Sequence, residues 1–386
     1  MSEKNDYDVI IIGSGSIGTT LAVSLAGRKL KTLVLEAAAS PGQGQNKCAI
    51  GGVRATHSDA SKIKACLKSL EIFSTWKSRH GDDIGWIKGG YIFPVYNERD
   101  EAVLKELLKV QRGLGLNIDW IGPEKVHSLV PGIAGKDLRG GTWSPDDGSA
   151  SPLLSVNAFF RRAVALGAQF NFNEPVKEIL VENGVVKGVV TPRGRYSSKW
   201  VVNAAGAQAA AVSELAGIKV PVNPDRHEAG ITEPVERFFE PMVVDIRPGD
   251  RSKNYYFYQN SEGQLVFCLT PQPPIWGADR RSTSEFLPEV SRRMISLMPC
   301  LSNLKVRRTW RGLYPMTPDG FPVVDFPERL KGYVLEVGMC GQGFMLGPGL
   351  GETVAAYIAG SPSAEDREIL SGFRLERSFS GQEALK

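Results

Sequence analysis

The 386-residue sequence predicts an α/β fold joined to an α+β part. Three observations carry that prediction. A strand–turn–helix–strand passage opens the chain at residues 7–36. The same α/β patterning returns from Ser151 and again after Asp325. Between them, residues 218–325 alternate as antiparallel strands do, clearest in Tyr255-Tyr256-Phe257-Tyr258 and Leu265-Val266-Phe267-Cys268.

The elements follow in order. Asp8-Val-Ile-Ile-Ile12 is a short apolar run closed by glycine, which reads as a buried strand over 7–12. A turn at 13–18 leads to a helix ending near 28, with Leu21, Ala22, Leu25 and Ala26 at helical spacing, and then to a strand at 31–36. Val9 to Gly27 is uncharged and long enough to cross a bilayer, yet its period changes partway and Gly13, Gly15 and Gly18 bend it. No transmembrane segment is therefore expected. The first six residues carry no basic stretch ahead of an apolar one, so no secretory leader is expected either.

Pro41 to Arg54 is glycine-rich and extended. Ser58 or Asp59 caps the next helix, whose buried face is Ile63, Leu67, Leu70 and Phe73. A helix at 98–113 carries Val103, Leu104, Leu107, Leu108 and Gln111 in register, and Pro123 opens a short one. After Ser151 come a helix at 153–166 stopped by Gly167, a strand at 169–172, and strands 176–181 and 185–191 around the hairpin signal Glu182-Asn183-Gly184. Tyr196 to Asn203 is a strand running into Ala204-Ala205-Gly206. Along 255–258 the alternation is expected to turn Tyr256 away from Tyr255 and Tyr258, giving one tyrosine face to a pocket. A helix at 285–298 interrupts the β region, and Lys305, Arg307 and Arg308 read as a solvated strand edge. A strand at 333–337, a glycine-rich turn and a helix from near Gly351 to Gly360 complete the pattern, with a polar, loose tail after 375.

Composition narrows the function. Apolar residues make up 42 % and charged residues 23 %, ordinary for a chain that buries a large core. Lys plus Arg is 46 and Asp plus Glu is 42, so the net charge is 46 − 42 = +4, too weak over this length to argue for nucleic acid. Five cysteines without a CxxC pair argue against a disulfide framework or a zinc site, and suit reduced cytoplasmic thiols. The four histidines are too far apart for a helical metal site.

Gly13-Ser-Gly15-Ser-Ile-Gly18 fits GxGxxG, follows a strand, opens a helix, and is answered by Glu36, 18 residues past Gly18. Gly13 permits the tight turn, Gly15 lets the backbone approach a diphosphate, and Gly18 seats the helix on the sheet. The helix start offers free N–H groups to the phosphates. A carboxylate at 36 accepts from ribose hydroxyls and repels a 2′-phosphate. The turn alone does not separate FAD from NAD. An NAD domain would need a second regular βαβ half, which residues 37–150 do not supply. The extended passage through Gly51-Gly52-Val53-Arg54, the small-residue strand end Ala204-Ala205-Gly206, and the glycine-rich run Gly338–Gly349 all suit a longer, flavin-bearing dinucleotide.

These segments, with Thr142-Trp-Ser-Pro-Asp-Asp-Gly148, Trp310-Arg-Gly-Leu-Tyr-Pro-Met-Thr-Pro-Asp319 and Gly341-Gln-Gly-Phe344, stand in the order found in the D-amino-acid oxidase superfamily. The chain resembles its sarcosine oxidase β-subunit, dye-linked proline dehydrogenase β-subunit and glycine oxidase branch over about residues 7–360. The resemblance implies a Rossmann-like FAD-binding domain from residues 1–83, 151–217 and 326–386. A discontinuous substrate domain from 84–150 and 218–325 would carry a mixed, mostly antiparallel sheet. It implies oxidation of a C–N bond in a sarcosine-, proline- or glycine-like amino acid, a hydride leaving for flavin N5 and an imine forming. Oxygen or another acceptor would take the electrons. A partner subunit could complete the enzyme, as for an FAD-bearing β-subunit poorly active alone.

The resemblance places the cofactor against Gly13, Ser14, Gly15, Ile17 and Gly18 at the turn, and against Glu36 and Ala37 at the ribose. It adds Gly51, Gly52 and Val53 along the cofactor, and Val176, Ala204, Ala205 and Gly206 at later strand ends. Gly312, Gly341, Gly343, Phe344 and Met345 would surround the ring. Monomeric sarcosine oxidase bonds its flavin through a cysteine whose matching position here is Gly312, so FAD is expected to be non-covalent. Gln342 stands where relatives often carry histidine, and Met345 where that oxidase carries a carboxylate-binding lysine. Arginine is the natural carboxylate anchor, because its fork pairs bidentately. Arg54 and Arg311 are the candidates, with Tyr314 replacing a carboxylate-binding arginine of glycine oxidase-like relatives. His57, Tyr256 and Gln342 are further substrate-side candidates, and no residue is assigned as acid or base.

Overall fold

The strand Asp6–Ile12 is apolar on both faces, and the fold uses both. Val9 and Ile11 join one core cluster, Ile10 and Ile12 the other. The computed structural model describes residues 6–381, 383 and 385. In its first eight-stranded sheet the order is Val323–Asp325, Tyr333–Val337, Gly194–Asn203, Asp6–Ile12, Thr32–Leu35 and Gln169–Asn171. Asp6–Ile12 pairs in parallel with Gly194–Asn203 and Thr32–Leu35, as βαβ connections require. The hairpin Glu178–Glu182 and Val185–Thr191 extends this sheet, and Asn183 and Gly184 both take positive φ (50° and 73°) at its turn.

The second eight-stranded sheet runs Val306–Met316, Asn223–Pro234, Gln264–Pro271, Ser252–Gln259, Met242–Asp245, Tyr91–Val95, Gly140–Ser144 and Asp119–Ile121. Met242–Asp245 pairs in parallel with Tyr91–Val95; the other pairings are antiparallel, so the sheet is mixed and mostly antiparallel. Val306–Met316 is its edge strand, and Lys305, Arg307 and Arg308 lie along that edge. Among the described residues no helix is long and apolar enough to cross a membrane.

Helices form where patterning and caps agree. Asp59, rather than Ser58, caps Ala60–His80 by accepting from the Lys62 N–H at 2.9 Å, and Gly81 ends the helix at φ 83°. In Glu98–Gly113, Leu104, Leu108 and Gln111 are buried, but Val103 is 50 % exposed, because it falls at the margin of the apolar stripe.

Three expectations are corrected. The last long helix runs from Gly343 to Ile358, two turns earlier than its composition suggests. Gly347, Gly349 and Gly351 lie within it because side chains there would collide with neighbouring backbone: a Cβ at 347 would lie 2.6 Å from the Ser16 carbonyl oxygen, and one at 349 would strike that of Ala65. Along Ser252–Gln259 it is Tyr255 that faces away, packed in one cluster with Phe257, while Tyr256 and Tyr258 share the opposite face. A strand's period of two allows nothing else. The tail is not loose throughout, since Glu383 and Leu385 are buried.

Candidate cofactor and substrate site

Gly13 adopts φ 107°, and a Cβ there would lie 2.6 Å from the Ala204 carbonyl oxygen. A Cβ on Gly18 would strike the Gly13 carbonyl. Over Gly15 the space is open, with no atom within 4 Å of the point a Cβ would occupy. Gly15 precedes the helix Ser16–Gly27 without a side-chain cap, and its first turn carries no acid. That helix start therefore presents unsatisfied N–H groups to an open surface, the arrangement that takes a diphosphate. Glu36 is oriented beside it: one carboxylate oxygen accepts from the Ser14 N–H (2.8 Å) and hydroxyl (2.9 Å), the other from the Ala38 N–H (2.8 Å). Ala37 is exposed next to it, and the Asn173 and Glu174 N–H groups donate to the carbonyls of Ala38 and Glu36. That pairing brings the segment leading to Val176 alongside the acidic strand end, while Val176 itself packs partly buried against the core. The Ala204 N–H donates to Ile12, which seats Ala204 and Ala205 at the turn.

From this turn a cavity of about 1320 Å³, measured out to its open mouth, runs between the two sheets. Ile17, Gly51, Gly52, Gly206, Gly312, Gly341, Gly343, Phe344 and Met345 line it. Gly13, Ser14, Gly15, Gly18, Glu36, Ala37, Val53, Val176, Ala204 and Ala205 do not, and Ser14 and Val53 are fully buried. The helix Gly343–Ile358 begins at the cavity without a side-chain cap, and Gln342 just before it is 5 % exposed with its Oε1 unpartnered. Two uncapped helix starts facing one cavity fit the diphosphate and the electron-rich edge of a flavin, and the open Gln342 acceptor fits a donor on a ligand.

The substrate-side candidates divide. Tyr256 and Tyr314 line the cavity with their hydroxyls 2.7 Å apart. Burial pushes both phenols well above their ordinary range, so both stay protonated. Arg54 lines the cavity at 8 % exposure; Nη2 donates to the Leu385 carbonyl at 2.6 Å, and Nη1 is buried without a partner among the described residues. His57 lies behind Arg54, fully buried and outside the cavity lining, with Nε2 3.5 Å from Cys66 Sγ. Burial first, then the Arg54 charge, pushes its imidazole well below the ordinary value, so it is neutral. Arg311 also lies outside the lining: its Nη2 donates to Glu228 Oε1 at 2.7 Å. Glu228 in turn accepts from the Thr283 N–H and hydroxyl.

Sequence reasoning missed His227. It lines the cavity, and its ring stacks on Tyr314 with centroids 3.7 Å apart at 15°. Its Nε2 is 3.0 Å from Asp225 Oδ2. Burial alone would raise the Asp225 carboxyl, but the bond and charge of His227, with backbone N–H groups, bring it below the ordinary value. An ionised Asp225 accepts, which fixes the His227 proton on Nε2. The available signal was the i, i+2 spacing of Asp225 and His227, which puts both on one strand face. Asp147 was missed as well. It accepts from the Ala55 N–H (2.8 Å) and from the Thr56 and Ser144 hydroxyls (2.6 Å each), pinning the passage that carries Arg54.

Comparison with known proteins fits this geometry. The model of the DAO family, described as FAD dependent oxidoreductase, matches residues 8–357. Glycine oxidase of Bacillus licheniformis is 27 % identical over 385 residues, covering 97 % of this chain and 98 % of that protein. Sarcosine oxidase subunit beta of an Arthrobacter species is 26 % identical, over 98 % of this chain and 92 % of that protein. Human mitochondrial sarcosine dehydrogenase, 27 % identical over 91 % of this chain, is longer, and the chain spans 39 % of it. Among solved structures, L-proline dehydrogenase from P. horikoshii superposes with a TM-score of 0.90 at 30 % identity, over 97 % of this chain and 98 % of that one.

Proposed function

Because the chain belongs to the DAO family of FAD-dependent oxidoreductases, we propose that it oxidises the C–N bond of a small amino acid or N-alkyl amino acid, sarcosine-, proline- or glycine-like, to the imine. The observation that carries this reading is Arg54: a buried guanidinium on the cavity wall whose Nη1 has no partner among the described residues. A buried, half-satisfied fork is costly unless a ligand completes it, and a carboxylate does so bidentately.

With no thiol at Gly312 the FAD would be held non-covalently, and it would supply a two-electron acceptor for the substrate's hydride. The chain's own part is orientation. Arg54 holds the substrate carboxylate. The Tyr256–Tyr314 pair offers hydroxyls to the polar end of the substrate. His227, oriented by Asp225 and flat against Tyr314, keeps that ring in place. Gln342 offers its Oε1 to a donor on the ligands. We assign the FAD-binding domain to 1–83, 151–217 and 326–386 and the substrate domain to 84–150 and 218–325. The five free thiols accord with a reducing, cytoplasmic compartment.

A second reading, an FAD-bearing subunit that passes electrons to a partner or dye-like acceptor, is favoured by the similarity to a sarcosine oxidase β-subunit over nearly its whole length. One experiment tests both. The purified protein should be yellow, and acid precipitation should release FAD. Anaerobic mixing with secondary and primary amino acids should bleach the flavin, and repeating it with oxygen separates oxidase from dehydrogenase. A colourless protein, or a flavin that no amino acid bleaches, overturns the first reading. Rapid turnover with stoichiometric peroxide by the chain alone overturns the second.

A further inference from the structure

Nothing in the polar stretch from Ser378 onward predicts burial, yet two of its residues reach the cavity or the wall behind it. Leu385 lines it and joins the apolar cluster of Tyr91, Phe93, Met242 and Tyr258. Its carbonyl oxygen takes the Nη2 donor of Arg54 at 2.6 Å. Glu383 is 3 % exposed and accepts from the Ser58 N–H (2.9 Å) and hydroxyl (2.5 Å). Its carboxylate lies 3.2 Å from the ammonium of Lys62, which is fully buried and also donates to the Gly320 carbonyl.

The two contacts differ in kind. Glu383 is held by a buried cation and two hydrogen bonds, an anchor. Leu385 meets Arg54 through one neutral carbonyl, which satisfies half of a fork built for two bonds. A carboxylate offers both bonds and a charge, so at Arg54 itself it is the better partner. The carbonyl competes because its tether keeps it at high local concentration.

We propose that the segment bearing Glu383 and Leu385 is a built-in competitor for the carboxylate subsite: a substrate carboxylate binds by displacing the Leu385 carbonyl from Arg54. The inference rests on Arg54 as the carboxylate anchor. The affinity measured for any acid is then its intrinsic affinity reduced by the fraction of molecules with the segment docked.

The test compares the full-length holoenzyme with a chain ending at Gly381, each titrated with pyrrole-2-carboxylate, a carboxylate with no oxidisable amine, through the flavin absorption band. The shortened chain should bind roughly tenfold more tightly. Glu383→Gln, which keeps the chain and weakens the anchor, should tighten binding by a smaller factor. In the full chain, the ligand should speed amide exchange over residues 378–386. Equal or weaker binding by the shortened chain, or slower exchange with ligand, would overturn the proposal and make the segment a fixed wall of the site. Arg54→Met separates the two layers. If it weakens binding while truncation does not tighten it, the competitor alone fails; if it leaves binding unchanged, the assignment of Arg54 fails and the competitor with it.

Discussion

The Tyr256 hydroxyl stands 2.7 Å from the Tyr314 hydroxyl, although the two residues are 58 positions apart in sequence. The Tyr314 ring is held between two neighbours. His227 stacks on it, and Gly341 packs so close that a side chain there would strike the ring. A phenol so constrained offers its oxygen at a fixed point in the cavity. Tyr314→Phe removes the oxygen and keeps the packing. It should lower kcat/KM about tenfold, the worth of a buried hydrogen bond of ~1.5 kcal/mol. The melting temperature should change little, and a large loss of stability would show instead that the pair is structural.

Arg54 provides the test of substrate anchoring. Arg54→Lys keeps a charge and loses the planar fork, and Arg54→Met loses both. KM for carboxylate substrates should rise in both variants, on the order of tenfold for Lys and a hundredfold or more for Met. An amine lacking the carboxylate should be oxidised equally by all three proteins. Steady-state kinetics with matched acid and amine substrates decide it.

Glu36 bears on the cofactor. Glu36→Ala removes the acceptor that the ribose hydroxyls would use and frees the Ser14 and Ala38 N–H groups. FAD should dissociate at least tenfold more readily, since hydrogen bonds to a charged group are worth ~1.5–3 kcal/mol. Fluorescence of FAD released on dilution measures this. An unchanged dissociation constant would place the ribose elsewhere.

Glu336 should make stability depend on pH. Both its carboxyl oxygens are buried without a hydrogen-bond partner, and burial pushes its carboxyl up to about 8. In the unfolded chain the same group ionises near ~4.3. Between those values the folded protein holds a proton that the unfolded chain has lost. Stability therefore falls as pH rises through that window, by up to about 1.4 kcal/mol per unit. The slope ends below the lower value and above the upper. Glu336→Gln should remove it. Denaturant titrations at pH 5.5 and 7.5 should show the variant gaining on the parent protein at the higher pH, and parallel curves would contradict the assignment.

Local pattern was enough for the glycine turn and for most of the elements. The strand, the three glycines and the acidic strand end lie within residues 6–36, so their spacing carries the geometry. The hairpin at Asn183-Gly184 and the cap at Asp59 are equally local. The start of the last long helix was not legible. Gly347, Pro348, Gly349 and Gly351 argue against a helix by propensity, and only the approach of the Ser16 and Ala65 backbones explains why small residues are needed there.

The polar wall of the cavity lies beyond the reach of spacing. Arg311 stands in a motif strand but is drawn to Glu228, 83 residues away, while Arg54 keeps one donor open. Asp225 and His227 join Tyr314 only through strand pairing, and Glu383 meets Lys62 only through the folded chain. Side chains near in sequence are set by backbone dihedrals and can be read in order along the chain. Which distant polar groups become partners depends on desolvation and packing, and those exist only once the sheets have come together.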